Sequence, residues 1–273
     1  MVTTLVTGTA VRGGIVSPDR IAAVINRNVG ALRSGPSYWL VLLSGFFEPL
    51  LYLLSIGIGV GALVGDLTLL DGSVVSYAMF VAPAMLATSA MSGAMAETTF
   101  NFYFKMKYMR TFDAILATPV RPFEIALGEL TWAMMRGSLY AAVFLMIMVA
   151  MGLTSVTGAL LAFPATILVG FAFGALGMAI SSTLRSWQDF DILMTAQFAL
   201  FLFSGTFAPI SQYPMFFEVL IRITPLWHAV EMIRAITLGT VGWATLGHAT
   251  YLVGMLAVGL FLTGRRLEKV LCK

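Results

Sequence analysis

The sequence predicts an all-α integral membrane protein with six transmembrane helices, and three observations carry that prediction. Of its 273 residues 59% are apolar and 11% charged, where a soluble domain has about a quarter charged. The apolar residues come in blocks of about 20, the length that crosses a bilayer. Lys and Arg then fall almost entirely on one side of the alternating spans.

Residues 1–17 are expected as a flexible cytoplasmic N-terminus. Arg12, Arg20, Arg27 and Arg33 lie among polar and small residues with no early apolar run, so the first span itself is expected to direct insertion. Ser17-Pro18-Asp19 is a helix-start signal. It opens a predicted interfacial helix over 18–35, with Ile21, Val24, Ile25 and Val29 on one face and the arginines mostly elsewhere. The membrane domain is assigned to 36–273.

Spans one and two are predicted at Ser37 to Val64, interrupted by Glu48, and Val74 to Ala96, joined by a turn over 65–73. A cytoplasmic helix is predicted at about 100–119, ended by Thr118-Pro119 and Arg121-Pro122. Span three is Ala126 to Met151 and carries Glu129 and Arg136. Span four is the uncharged Gly158 to Leu184, span five Ile192 to Ile210, and span six Ala244 to Gly264. The segment over about 211–240 is too apolar for a solvated loop and is broken by Pro214 and Pro225. Two half-helices entering the outer leaflet are predicted there, because irregular backbone at membrane depth is tolerated where protein or a wet cavity satisfies it. Glu218 with Arg222, and Glu231 with Arg234, are at helical spacing and are expected to neutralise one another.

With the N-terminus inside, thirteen basic residues fall on the cytoplasmic side and two, Arg222 and Arg234, outside, leaving Arg136 within a span. The positive-inside rule therefore places both termini in the cytoplasm, and the chain is expected in the plasma (inner) membrane. A net charge of +3 reports topology rather than nucleic-acid binding, since no basic stretch interleaved with aromatics occurs outside the membrane flanks. One cysteine, Cys272, allows no intrachain disulfide and no thiolate cluster.

The chain offers little to catalysis. Its two histidines, His228 and His248, sit in no motif, and carboxylates are scattered, so no catalytic or metal-ligating residue is expected. No GxxxxGK[ST] phosphate loop occurs, so ATP hydrolysis is expected on another chain.

Several ordered motifs resemble the ABC-2 type permeases: Glu48-Pro-Leu-Leu-Tyr-Leu-Leu, Asp113-Ala-Ile-Leu-Ala-Thr-Pro119, Gly128-Glu-Leu-Thr-Trp132, Phe201-Leu-Phe-Ser-Gly-Thr-Phe-Ala-Pro-Ile and Pro225-Leu-Trp-His-Ala-Val-Glu-Met-Ile-Arg-Ala235. The chain looks closest to the nodulation-factor and antibiotic-resistance exporter branch. The resemblance implies the permease subunit of an exporter for an amphiphilic compound, working as a homo- or heterodimer with an ABC ATPase that binds ATP and Mg. It implies that 18–35 is a connecting helix, that Phe104 to Leu116 docks into the ATPase, and that 211–240 is an outward re-entrant hairpin. Phe104, Lys107, Arg110, Phe112, Asp113 and Leu116, with Arg27, are then the ATPase-facing residues.

For the single residues both functional and structural readings stay open. Glu48, Glu129 and Arg136 line a translocation path or form a polar packing network, Glu129 and Arg136 lying seven apart on one face. Met79, Met85, Met91 and Met95 form a soft substrate surface or ordinary packing. Gly170, Gly174 and Gly177 permit close helix contact within the subunit or across a dimer. In the outer segment Glu218, Arg222, Glu231 and Arg234 accompany His228, a pH-sensitive element or a satisfied buried histidine. The rival functions are export of a polysaccharide or envelope precursor and a non-transporting scaffold or sensor; an intramembrane enzyme would need carboxylate or His pairs at one depth.

Overall fold

The computed structural model describes residues 16–35, 47, 50, 51, 53–68 and 72–271. The expected N-terminus 1–15, Glu48 and most of the first predicted span lie outside the described residues.

Helix α1 spans Pro18–Arg33, with Pro18 at its first turn where no amide donor is needed. Leu53–Val60 is π-helical and runs into the short α-helical Gly61–Val64. The predicted turn over 65–73 contains a small antiparallel hairpin instead, β1 (Asp66–Thr68) against β2 (Val74–Ser76), in register Asp66 to Ser76. Leu67 and Val75 pair across it and pack on the core, which gives a hairpin this short its apolar support.

Helix α2 (Tyr77–Met95) starts where the Ser76 hydroxyl accepts the Met79 amide. It continues through a π-helical turn, Ala96–Asn101, into α3 (Phe102–Lys107). Arg110 then takes a left-handed conformation, φ 48°, and α4 (Thr111–Leu116) begins. The single cytoplasmic helix predicted over 100–119 is therefore an extension of span two followed by a separate short helix, because a non-glycine residue at positive φ ends a helix. The predicted stops hold: α4 ends before Thr118-Pro119, and α5 (Pro122–Ala150) starts at Pro122 with the Glu124 carboxylate accepting the Arg121 amide.

Helix α6 (Val156–Ser181), capped by the Ser155 hydroxyl, is the central element. Its glycines settle the question the sequence left open. A Cβ at Gly170 would sit 2.6 Å from the Met134 sulfur and one at Gly174 2.6 Å from a Leu130 methyl, both on α5, while Gly177 abuts Thr98 of the π turn. The close contacts are within the subunit. Of the four methionines of α2, Met85, Met91 and Met95 are buried, and Met85 and Met91 also reach the wall of a cavity.

Helix α7 (Gln188–Leu202) has 15 residues, about 22 Å of rise, and ends short of the predicted Ile210. Gly205 at φ 69° and Pro209 break the chain there, with the Ser204 and Thr206 hydroxyls bonded to each other at 2.6 Å. The segment predicted as broken contains two helices, α8 (Met215–Ile223) and α9 (Pro225–Leu238), separated at Thr224. Helix α10 (Trp243–Leu271) closes the described chain and packs on α6, where Gly259 lies against the Ala175 backbone.

Four of the described helices are long and apolar enough to cross a membrane: Tyr77–Lys107, Pro122–Ala150, Val156–Ser181 and Trp243–Leu271. The fold is thus a mostly helical, multi-pass bundle, with α1 at one end and α9 at the other.

Candidate functional site

At the first end, two α5 carboxylates collect the neighbouring segments. Glu124, fully buried, accepts the Ser17 amide at 2.9 Å and an Arg20 guanidinium nitrogen at 2.9 Å, so it fastens the start of α1. Glu129, one and a half turns on, accepts Asn28 Nδ2 at 3.0 Å and Lys105 Nζ at 2.6 Å, with Arg27 at 3.7 Å. Lys105 also donates to Asn28 Oδ1. One carboxylate therefore joins α1, α3 and a spanning helix. Between these links Val24 closes on Gly128, where no Cβ would fit. The apolar face of α1, expected to lie on the membrane, is turned onto α5.

Glu129 and Arg136, expected on a translocation path or in a polar packing network, do not pair with each other but each joins an interhelical ion pair. Seven residues on one helix are about 10 Å apart, too far for a direct pair. Each finds its own partner on the antiparallel α2–α3 rod: Arg136 binds Glu97 at 2.5 Å, and Glu129 binds Lys105. Eight residues separate Glu97 from Lys105 where seven separate the α5 partners, and the extra residue is what a π turn inserts. Thr98 and Thr99 hydroxyls return to the Ala94 and Met95 carbonyls, and Ser181 of α6 donates to the Thr99 carbonyl, so the irregular turn stays hydrogen-bonded.

The Glu97–Arg136 pair faces a cavity of about 530 Å³ between α2, α5 and α7. Thr88, Ser89 and Gln197 put neutral polar groups on its wall, and Met85, Met194 and Phe198 line the rest. Such a mixed lining suits a molecule that is part apolar and part hydrogen-bonding. Glu48, expected on the same path, lies outside the described residues.

The stretch expected to face a partner divides by exposure. Phe104, Lys107, Arg110 and Asp113 are exposed and Leu116 half-buried. Phe112 is a correction: it is fully buried with its ring 4.9 Å from Phe102, so it anchors α4 from beneath and presents no surface. The aromatic side chains of this stretch are partly covered from within. Trp187 and Phe190, from the start of α7, pack on Phe100, and Tyr108 lies between Phe104 and Trp187. Asp189 sits beside them, held below the usual carboxylate range by accepting the Arg185 and Ser186 amides.

At the other end, both expected pairs form: Glu218 with Arg222 at 2.6 Å, and Glu231 with Arg234 at 2.5 Å. They differ in kind. Arg222 is half exposed, whereas Arg234 is buried, donates to the Gly205 and Phe80 carbonyls and covers the Phe80 ring at 3.9 Å. It ties α9 to α2 and to the turn after α7. His228 meets His248 of α10, Nδ1 to Nδ1 at 2.7 Å.

Sequence reading missed Asn28, Glu97, Lys105, Trp187 and His248 as site residues. Asn28 had a signal, a polar residue one turn beyond Val24 on an otherwise apolar face. The others pair across 20 to 87 residues, which spacing cannot reveal.

The ABC-2 type transporter family model matches residues 21–238. Nodulation protein J of Rhizobium leguminosarum bv. trifolii is 37% identical over 199 residues, 72% of this chain and 74% of that protein. Nodulation protein J of Rhizobium meliloti (strain 1021) is 36% identical over 200 residues, 73% of this chain and 74% of the relative. The Probable multidrug ABC transporter permease YbhR of Escherichia coli (strain K12) is 24% identical over 164 residues, 59% of this chain and 44% of its own length. A match that takes in α1 through α9, with relatives above 30% identity over most of both chains, shows that the chain belongs to the ABC-2 type transporter family.

Proposed function

We propose that the chain is the permease subunit of an ATP-driven exporter that moves an amphiphilic compound across the plasma (inner) membrane, with both termini cytoplasmic and six spans in all. ATP and Mg are handled by a separate ABC ATPase chain, and a second permease subunit completes the pathway. Family membership and the relatives' names favour a permease, and the charge asymmetry of the loops favours this orientation.

The observation that carries the reading is the Glu129 junction. The helices proposed to touch the ATPase, α1 and the α3–α4 turn, are joined by buried charge to α5. A push on either is delivered to a spanning helix that lines the cavity. Phe104, Lys107, Arg110, Asp113 and Leu116 form the proposed docking face, with Phe112 as its internal anchor and Arg27 beside it. The mixed lining of the cavity supports an amphiphile as cargo.

The test is co-purification of the full chain with its candidate ATPase in lipid nanodiscs, comparing wild type with the exposed-face variant Lys107→Glu, Asp113→Lys. Loss of complex or of ATP turnover, with the permease still folded, supports the docking face. Unchanged yield and turnover overturn it.

A further inference from the structure

The chain has two histidines, and the fold brings them together. His228 lies in the first turn of α9 and His248 in the second turn of α10, twenty residues apart. The 2.7 Å between their Nδ1 atoms requires one nitrogen to donate and the other to accept. Either ring can be the donor, according to its tautomer.

We propose that this pair is a proton-operated latch, closed while at least one ring is neutral, that fastens α8 and α9 to α10 and lets them part in acid. Three contacts depend on its geometry. Tyr251 stacks on His228 at 4.0 Å and donates its hydroxyl to the Ile223 carbonyl, the last of α8. Trp227 sets its indole edge-on to both imidazoles at 4.9 and 5.1 Å. The pair thus sits in the α9–α10 interface, beside the Tyr251 bond that ties the α8–α9 break to the last helix.

A second proton converts the acceptor nitrogen to a donor, and two donors cannot share 2.7 Å. One surrounding charge, the Glu231 carboxylate, favours a charged His248. Glu231, one turn on along α9, is held by Arg234, and Arg222 at the end of α8 is held by Glu218. From α10 the facing titratable group is Tyr251. The sign follows: opening takes up a proton, so closure is complete above the free-histidine value near 6.5 and is lost as pH falls below it. Among the described residues no third His, Cys, Asp or Glu completes a metal-ligand group with the pair.

The experiment is hydrogen–deuterium exchange on the full chain in lipid nanodiscs at pH 7.5 and 5.5, corrected for intrinsic exchange. It needs neither partner nor cargo, so it is independent of the exporter reading. Peptides from α8 and the first turn of α9 report, and peptides from α5 and α6 are the reference. One proton per opening predicts about tenfold faster exchange at pH 5.5 in the reporting peptides, with the reference unchanged. His228→Gln and His248→Gln each remove that pH response, and if one fails to fold the other decides. No acid response in wild type, an equal rise in the reference, or a response surviving in a folded variant overturns the latch.

Discussion

Glu129→Gln isolates the junction that connects the proposed docking helices to a span. The carboxylate is 6% exposed and its main partner, Lys105, 19% exposed at 2.6 Å. Breaking a buried pair by neutralising one member costs about 3–5 kcal/mol, because the other charge is left without compensation. Lys105 keeps some solvent and its bond to Asn28, which places the cost near the lower end, about 3 kcal/mol. The Arg27 contact, at 3.7 Å and with Arg27 more than a third exposed, adds less than about 1 kcal/mol. About 3 kcal/mol is a factor of more than 100 in the folded-to-unfolded ratio. The assay is unfolding in mixed micelles titrated with SDS, followed by near-ultraviolet circular dichroism. Lys105→Met alone is expected to lose stability by a comparable amount. The double variant Lys105→Met, Glu129→Met is expected to recover most of it, since two apolar side chains leave no buried charge. A Glu129→Gln cost below about 0.5 kcal/mol, or strictly additive single and double variants, would refute the reasoning.

Further outcomes follow from other contacts. Gly174→Val puts a side chain where Leu130 already stands and is expected to destabilise by about 1–3 kcal/mol in the same titration, whereas Gly254→Ala, with open space around it, is expected to be close to neutral. Arg234→Met loses two hydrogen bonds to carbonyls and the Phe80 ring contact, with an expected cost of about 3 kcal/mol; Arg222→Ala, on a half-exposed helix pair, is expected to cost about 0–1 kcal/mol. Asp189 binds two amides while ionised, so the turn before α7 is held at pH above the usual carboxylate value of 3.8 and loosens as pH falls below it. Amide exchange at 185–190 is expected to rise between pH 5 and 3, and Asp189→Asn to abolish that rise. Trp187→Ala strips the ring that Phe100 and Tyr108 pack on, and co-purification with the ATPase is expected to fall if this cluster supports the docking face.

The sequence by itself determined what depends on short stretches. Apolar length placed the long helices, Pro18 and Pro122 placed the starts of α1 and α5, and Pro214 and Pro225 separated α8 from α9. The i,i+3 and i,i+4 pairs of the outer segment were legible because a helix brings those positions together whatever surrounds it. Where local geometry alone decided, as at Arg110 and Gly205, the sequence misplaced the boundary: nothing in its pattern marks Arg110 for a left-handed turn, and a glycine and a proline inside an apolar run ended α7 early. Tertiary structure alone decided the site. Glu129 and Arg136 share a face, yet each takes a partner from the antiparallel α2–α3 rod, with a π turn setting the register. It turned Phe112 inward, set the three α6 glycines against α5 and the π turn, and joined His228 to His248. Periodicity says which residues share a face of one helix; which face meets which neighbour, and at what register, is settled only when the helices pack.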